Sequence, residues 1–588
     1  MKKLFTLCIA MLLMLTTVFG GMIGCGRGED EEFDTTKSHL YFGYYDAGYG
    51  TNWMTDLKAR FESEFATHSF EDGLTGVQVH PIAIADGQTF LNQIENSGVD
   101  VFMTGNADYY KYVRLGLLLN IDDVVTADLS RYNETKTIES RMDAANKDFY
   151  QTDNGYYGLP WVTSNWGIIM NVDLFESKEL YFAKGGCPSE YLRTNTNCDA
   201  ALDGEWDDAM YEFTGTGEKS AGPDGKYGTS DDGQPATYEE FFKFCERCSD
   251  LSIQAFHFAG AHPTQVSKMM IPMVADYEGF EQMSLNYTFS GKATDLIEVD
   301  EVGNVTELGD VDINNSNGYL LAKQAGKYHV LKFWDELLAN TKYFEETLTL
   351  ENAAHKHTDA QNDFVCGGVK EGMPAGECAL LIDGDWWWNE AQPAFDVVKK
   401  VTDGEKSADN MRFELLAFPK ATNEKVGEER ICLVGTDSVC GINSKIAQNK
   451  ITMAKEFVKF AFTNESNLMF SKNTSCARIF EYDFKEGYLD GLNHFARNLI
   501  ENYNSSVKCP VGSTNFMYIS NSFDLFNSEI FWGSIIDGKD TSGIPTFILA
   551  KKGMLLKDVD ITAEQYFMGM SAFKTKDYWD TRYSKFYN

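Results

Sequence analysis

Three consecutive tryptophans, Trp386-Trp387-Trp388, follow the acidic turn Asp383-Gly384-Asp385. Each indole has a large apolar surface and one N–H that needs an acceptor once buried. The apolar run Leu380-Leu381-Ile382 ahead of them reads as a strand, whose side chains alternate between faces. Trp386 and Trp388 then share one face and Trp387 takes the other. At a strand end they form a flat apolar platform, suited to the apolar face of a sugar ring, with Asp383 or Asp385 accepting hydrogen bonds from hydroxyls. Trp53, Trp161 and Trp166 also fall near expected strand ends or crossings. Paired carboxylates are the equipment of glycoside hydrolysis as well, so a glycoside hydrolase or lyase stands beside the binding reading. The motifs that would fix catalysis are missing: the chain has no HExxH, GxSxG, GxxxxGK[ST], or GxGxxG after a strand. No catalytic residue is therefore assigned.

Metal-ligating residue types occur in three places. Asp224, Asp231 and Asp232 lie in a turn-rich stretch, Gly222 to Asp232, whose oxygens and glycines could wrap a calcium ion, although the spacing is not that of an EF-hand. This is the only cofactor expected. His355-Lys356-His357 sits in a polar stretch with no evident third ligand and reads as a solvated surface pair. Cys245-Glu246-Arg247-Cys248 falls within an expected helix, and no second CxxC completes a zinc site, so it reads as structural.

These residues need elements to hold them. His39 to Tyr44, Val77 to Ala85 and Val99 to Met103 read as strands. Helices alternate with them, marked by Met54, Leu57, Phe61 and Phe65, then Leu91 and Ile94, then Ala107 to Leu115. This βαβαβα order predicts an open, mostly parallel sheet, which binds ligands at the carboxyl ends of its strands. Here those ends are Tyr44 to Asp46, Ala85 to Gln88 and Thr104 to Asn106. Further helices are expected around 238–251, 319–340, 449–463 and 484–503. Between them, 178–236 is rich in Gly, Asp, Asn and Thr and breaks the pattern.

The chain has 588 residues and a formal net charge of -37, with 43% hydrophobic residues. That length implies two or more domains. The acidic balance excludes nucleic acid as a partner and disfavours anionic ligands, leaving neutral or cationic ones. At the start, Lys2 and Lys3 precede the apolar stretch Leu4 to Val18 and the small residues before Cys25. This is the layout of a lipoprotein signal peptide, 1–24, with Cys25 lipidated and 25–37 a solvated tether. The apolar stretch, about 15 residues, is short of the ~20 a spanning helix needs. The protein is expected at the extracellular face of a cell membrane, lipid-anchored. Beyond Cys8 and Cys25 ten cysteines remain, an even number, which permits disulfides in an exported protein; Cys187/Cys198, Cys366/Cys378 and Cys432/Cys440 lie close in sequence.

Four stretches resemble one family in order. They are Gly158 to Phe175, Pro235-Ala-Thr-Tyr-Glu-Glu-Phe241, Gly376 to Trp388, and Cys440-Gly-Ile-Asn-Ser-Lys445 with the Ile451 to Phe462 helix and Thr463-Asn-Glu465. Together they are similar to the extracellular solute-binding proteins of bacterial ABC transporters, family 1, the maltose-binding-protein-like sugar binders. The resemblance implies an α/β, two-lobed periplasmic-binding-protein-like fold with a hinge and a central ligand cleft. It implies lobe 1 from 38–163, lobe 2 from 164–416 with the insertion 178–236, a return to lobe 1 over 417–478, and a C-terminal helical part, 479–588, mainly of lobe 2. Crossings fall near 162–165, 416–432 and 476–480. The implied partners are a carbohydrate ligand, permease subunits and, through the anchor, a membrane; the protein is a monomer. Trp386 matches the tryptophan that stacks on sugar, and Asp385 occupies a variable turn position. Asn106 lies in a ligand-contacting loop, with Asp46, Asp86 and Trp166 in analogous loops and Phe523 near a C-terminal aromatic position. The insertion departs from the family pattern and could line or cap the cleft. An adhesion or sensory lipoprotein on the same fold is not separated from a transport protein by these residues.

Overall fold

The computed structural model describes residues 32–587 apart from 106, 164, 195–209, 263, 350–353, 374, 436–437, 482–486, 516, 519–534, 537–538, 541–561 and 574–575. Cys25, Asn106, Cys198 and Phe523 lie outside the described residues.

Two four-stranded sheets organise the chain. In the first, β1 (Ser38–Tyr44) lies between β2 (Val77–Ala83) and β3 (Val101–Thr104), all parallel. A later strand, β9 (Val439–Ile442), returns to pair antiparallel with β3 and completes the order β9-β3-β1-β2. Helix α1 (Asn52–Glu64) follows β1 and buries Trp53, Met54, Leu57 and Phe61, residues that fall on one side of a 3.6-residue repeat. The core of this half is strongly aromatic. Trp53 and Trp161 lie 5.5 Å apart, Phe470 packs on both, Tyr49 packs on Trp161 and Phe470, and the Trp161 indole donates to the Thr104 carbonyl at 2.9 Å.

The second sheet has the order β7-β4-β6-β5, from β4 (Trp166–Asn171), β5 (Gln254–His257), β6 (Cys378–Gly384) and β7 (Phe413–Leu415). β6 is buried along its whole length, as befits a central strand covered on both faces. It runs parallel to β5 and antiparallel to β4. A separate parallel pair, β8 (Ile431–Gly435) with β10 (Val507–Val511), joins a late segment to the region after β7. Buried beneath it, the Lys420 ammonium meets the Asp276 carboxylate at 2.8 Å.

The insertion belongs to the second half. Tyr181–Phe182 pairs with Phe213–Thr214, and Leu180, Tyr181, Phe182 and Cys187 enter the second core. Helix α3 (Tyr238–Asp250) starts with Thr237 capping the Glu240 N–H. The buried Glu240 carboxylate in turn accepts from Ser189 N–H at 3.0 Å and Ala236 N–H at 2.8 Å, clamping both ends of the insertion. The segment expected to line or cap the cleft is thus fastened into the core of one half.

Several expectations change. The helix read from 319 begins at Ala325, after a 3-10 turn over Gly318–Lys323. The one read from 484 begins at His494, where the Asn493 side chain caps it. The cysteine pairs do not form: among the described residues Cys187, Cys245, Cys248, Cys366, Cys378, Cys432, Cys440, Cys476 and Cys509 are free thiols, all buried except the half-buried Cys432. They behave as small apolar side chains. The end of the tether is not fully solvated either, since Phe33 stacks on His39 at 3.7 Å and Asp34 N–H donates to Gln78.

Trp161 links the first crossing to the end of β3, so truncating it opens a large hole in an aromatic core. Trp161→Ala is expected to destabilise the protein by ~3–5 kcal/mol, measured by urea denaturation of the variant against the parent.

A candidate ligand cleft at the crossing of the two sheets

The two sheets meet around one carboxylate. Asp385 stands just beyond β6 and is 1% exposed. Its Oδ2 accepts from the Thr163 hydroxyl at 2.7 Å and from Asn165 N–H at 3.3 Å, and its own N–H donates to the Asn165 carbonyl at 2.9 Å. The Thr163 hydroxyl also faces the Ala477 carbonyl at 3.2 Å, and the Cys476 thiol donates to the Asp385 carbonyl at 3.3 Å. Asn165 Nδ2 reaches Cys432 Sγ at 3.6 Å. Residues from all three expected crossings therefore converge here. Burial pushes the Asp385 carboxyl up to about 6, with the Thr163 and Asn165 bonds opposing it. Asp385 was read as a hydroxyl acceptor for a ligand; its bonds to the crossing segments make it a junction residue instead.

Of the triplet, only Trp386 keeps part of its ring exposed. The strand does not continue through the triplet: α7 (Trp387–Glu390) begins directly after Trp386. The turn brings the Trp386 ring back over Gly384, where a Cβ would overlap it. Gly384 pairs with Trp166 across β4, so the two indoles meet edge to face, 4.8 Å apart at 86°. Both are half-buried. Trp386 also packs against the core of the first half. From that half, the loop after β1 approaches with Gly48 at φ +88°, and a Cβ there would lie 3.0 Å from the Trp386 ring and 2.7 Å from Glu390 Oε1.

The other two tryptophans of the triplet are core. Trp388 packs 4.6 Å from Phe395 and is stacked with Phe495, while Trp387 sits among Phe364, Phe413 and Phe495. The expected shared face of Trp386 and Trp388 is overturned because helical spacing turns successive residues by roughly 100°. Trp387 Nε1 is buried without a hydrogen-bond partner, so aromatic packing here outweighs one unmade bond. Trp53 is likewise buried in the first core and presents no surface to a ligand.

Among the loop residues, Asp46 is exposed and accepts from Gly50 N–H at 3.1 Å. Asp86 is half-buried and caps the short helix Gly87–Phe90 through Thr89 N–H. Asp46 thus lies in the loop that faces Trp386, and Asp86 at the neighbouring strand end.

The sequence reading missed Glu390 and Gln361 and misjudged His355. Glu390 is one helical turn beyond Trp386, a spacing that could have revealed it. The Gln361 amide, on α6 (His357–Cys366), donates to Asp383 Oδ2 at 2.9 Å and Glu390 Oε2 at 2.8 Å. Burial pushes Asp383 up to about 7. Burial also raises Glu390, with Asp46 adding repulsion and Gln361 and His357 opposing it. His357 Nε2 stands 4.0 Å from Glu390 Oε1. The surface pair expected of His355 and His357 is divided: His357 is half-exposed beside Glu390, whereas His355 is buried against His257.

The acidic loop of the insertion uses its carboxylates on its own turns. Asp231 accepts from Asp224 N–H and the Thr229 hydroxyl, Asp232 from Gly228 N–H, and Asp224 from Lys226 N–H. Among the described residues these three do not converge as a ligand group.

The arrangement offers an apolar edge formed by two indoles, flanked by Asp46, Glu390 and His357, between the strand ends of two sheets. The sequence profile of the bacterial extracellular solute-binding proteins matches residues 70–477. No curated protein matches the chain by sequence. Among solved structures, the chain is similar to the GacH receptor of Streptomyces glaucescens GLA.O, solved unliganded and with acarbose: TM-score 0.50, 11% identity, 94% of this chain and 100% of that one covered. Maltose-bound MalE3 of T. maritima aligns with a TM-score of 0.48 and 12% identity over 91% of this chain and 99% of that one. A chitin oligosaccharide binding protein aligns at 0.47 and 14% identity, covering 93% and 99%.

The raised Asp385 carboxyl has a consequence for stability. The folded state holds its proton to about pH 6, whereas the unfolded chain releases it near 3.8. The folded state thus binds more protons in that window, and stability falls as pH rises through it. Relative to Asp385→Asn, the parent is expected to lose ~2 kcal/mol between pH 4 and pH 7. Parallel denaturation series at several pH values check this; identical slopes for both proteins would refute it.

Proposed function

Because the chain belongs to the bacterial extracellular solute-binding proteins, we propose that it captures a carbohydrate, an oligosaccharide, between its two lobes and delivers it to the permease of an ABC transporter. The observation that carries this reading is the half-buried Trp166–Trp386 pair at the strand ends, with Trp386 rising from one sheet against the core of the other. An indole edge and face suit the C–H faces of a sugar ring. Asp46, Glu390 and His357 nearby suit its hydroxyls, since two carboxylates accept and the imidazole donates or accepts. A ligand touching both lobes favours their closed arrangement by its differential affinity for it.

In this reading residues 1–24 are removed, Cys25 carries the lipid, and the protein works as a monomer at the extracellular face of the membrane. Among the described residues no helix is long and apolar enough to cross a membrane, so an anchor would fall to the lipid.

Thermal-shift screening of the mature chain against a glycan panel tests the ligand class. A matching oligosaccharide is expected to raise Tm according to RT ln(1 + [L]/Kd) and to be recovered unchanged. Release of a cleaved product would favour the hydrolase or lyase reading instead. Trp386→Ala should weaken binding by about thirtyfold, ~2 kcal/mol; undiminished affinity would remove the platform from the site. For the anchor, metabolic lipid labelling is expected to mark the parent and not Cys25→Ser, and absence of label on the parent would return the protein to the freely secreted class.

A further inference from the structure

A second cluster lies at the outer edge of the second sheet. His257 is the last residue of β5, His355 lies two residues before α6, and Asp363 is on that helix. All three are buried: 0%, 6% and 3% exposed. Their polar atoms face one another. His257 Nε2 and His355 Nε2 are 3.0 Å apart, and each is 3.6 Å from Asp363 Oδ2. We infer that His257, His355 and Asp363 form a binding site for a divalent metal of the zinc class.

Geometry supports this. Zinc bonds of ~2.0–2.1 Å in a tetrahedron place neighbouring ligand atoms about 3.3–3.4 Å apart. The three observed separations straddle that value, so one ion can reach all three atoms with little movement. Two imidazoles and a carboxylate are a zinc-type donor set, and the fourth position is left for water.

The cluster is poorly satisfied as a purely protein arrangement. The two Nε2 atoms make one hydrogen bond between them. Asp363 Oδ2 lies beyond hydrogen-bond distance of either imidazole and has no partner, although it is buried. A buried carboxylate oxygen without a donor is costly; a cation at the centre serves all three atoms at once. The strongly acidic chain, at -37, raises the local concentration of divalent cations.

The site also has a structural setting. β5 pairs with β6 through His257 and Leu381, and Ala261 N–H donates to the His355 carbonyl at 2.8 Å. A metal would pin α6 to the end of β5. That helix carries Gln361, which holds Asp383 and Glu390. The inference does not depend on which solute the cleft takes.

The test is zinc titration of the chelator-treated full chain by calorimetry. One ion per chain is expected, with a rise in Tm, and cobalt(II) in its place should give the visible absorption of a tetrahedral site. Asp363→Asn and His355→Gln should each weaken zinc binding by more than ~100-fold while the metal-free variants keep the parent's circular dichroism. Should both variants misfold, ring NMR of the nine histidines in the parent decides: zinc should shift His257 and His355. No stoichiometric uptake, unchanged affinity in both variants, or shifts confined to other histidines would each overturn the site.

Discussion

A buried carboxylate at the crossing of two sheets imposes the tightest constraint on this structure. Placing a charge-bearing group in a low-dielectric interior is costly unless directed donors surround it. Asp385 Oδ2 finds donors only if the segment at Thr163 to Asn165 lies alongside the end of β6, while Oδ1 is buried without one. The segment at Cys476 and Ala477 closes the other side. Two separate segments of the chain are thereby held against the end of β6 at one point. Hydrogen bonds to a charged group are worth ~1.5–3 kcal/mol each.

The same constraint sets the direction of Trp386. With Asp385 locked, the next residue leaves the strand at a fixed angle, and Gly384 allows its ring to fold back over the strand end. Gly48 clears space for it from the opposite side. Two glycines and one buried acid therefore position a single indole. Its two successors join an aromatic cluster with Phe364, Phe395, Phe413 and Phe495. The triplet divides between one surface role and two core roles because a helix begins in the middle of it.

Much of the fold was legible because its elements carry local signals. The alternation in His39 to Tyr44 and the helical spacing of Met54, Leu57 and Phe61 are properties of a few adjacent residues. Thr237 marks a helix start in the same local way. What was not legible depended on distant partners. The fate of Trp388 is decided by Phe395 and Phe495, and that of His355 by His257, 98 residues away. Cysteine spacing left pairing open, because proximity in sequence does not make thiols neighbours in space. In the cleft, Trp166 and Trp386 stood out by residue type, whereas Gln361 acts only through two carboxylates supplied by other elements.

Electrostatics narrows what this cleft can select. Asp383 and Glu390 share one amide donor, Gln361, and Asp46 approaches from the other half. Asp46 and Glu390 beside the indole pair would repel a phosphorylated or carboxylated solute, and a low local dielectric strengthens that repulsion. Burial pushes Asp383 up to about 7, which removes part of its negative charge near neutrality. Its oxygens are occupied by Gln361 and the Gly384 N–H, so Asp383 acts on the cleft only through the amide it shares with Glu390. The charge that faces the indole edge is therefore that of Asp46 and Glu390, and it disfavours an anion more than a neutral group.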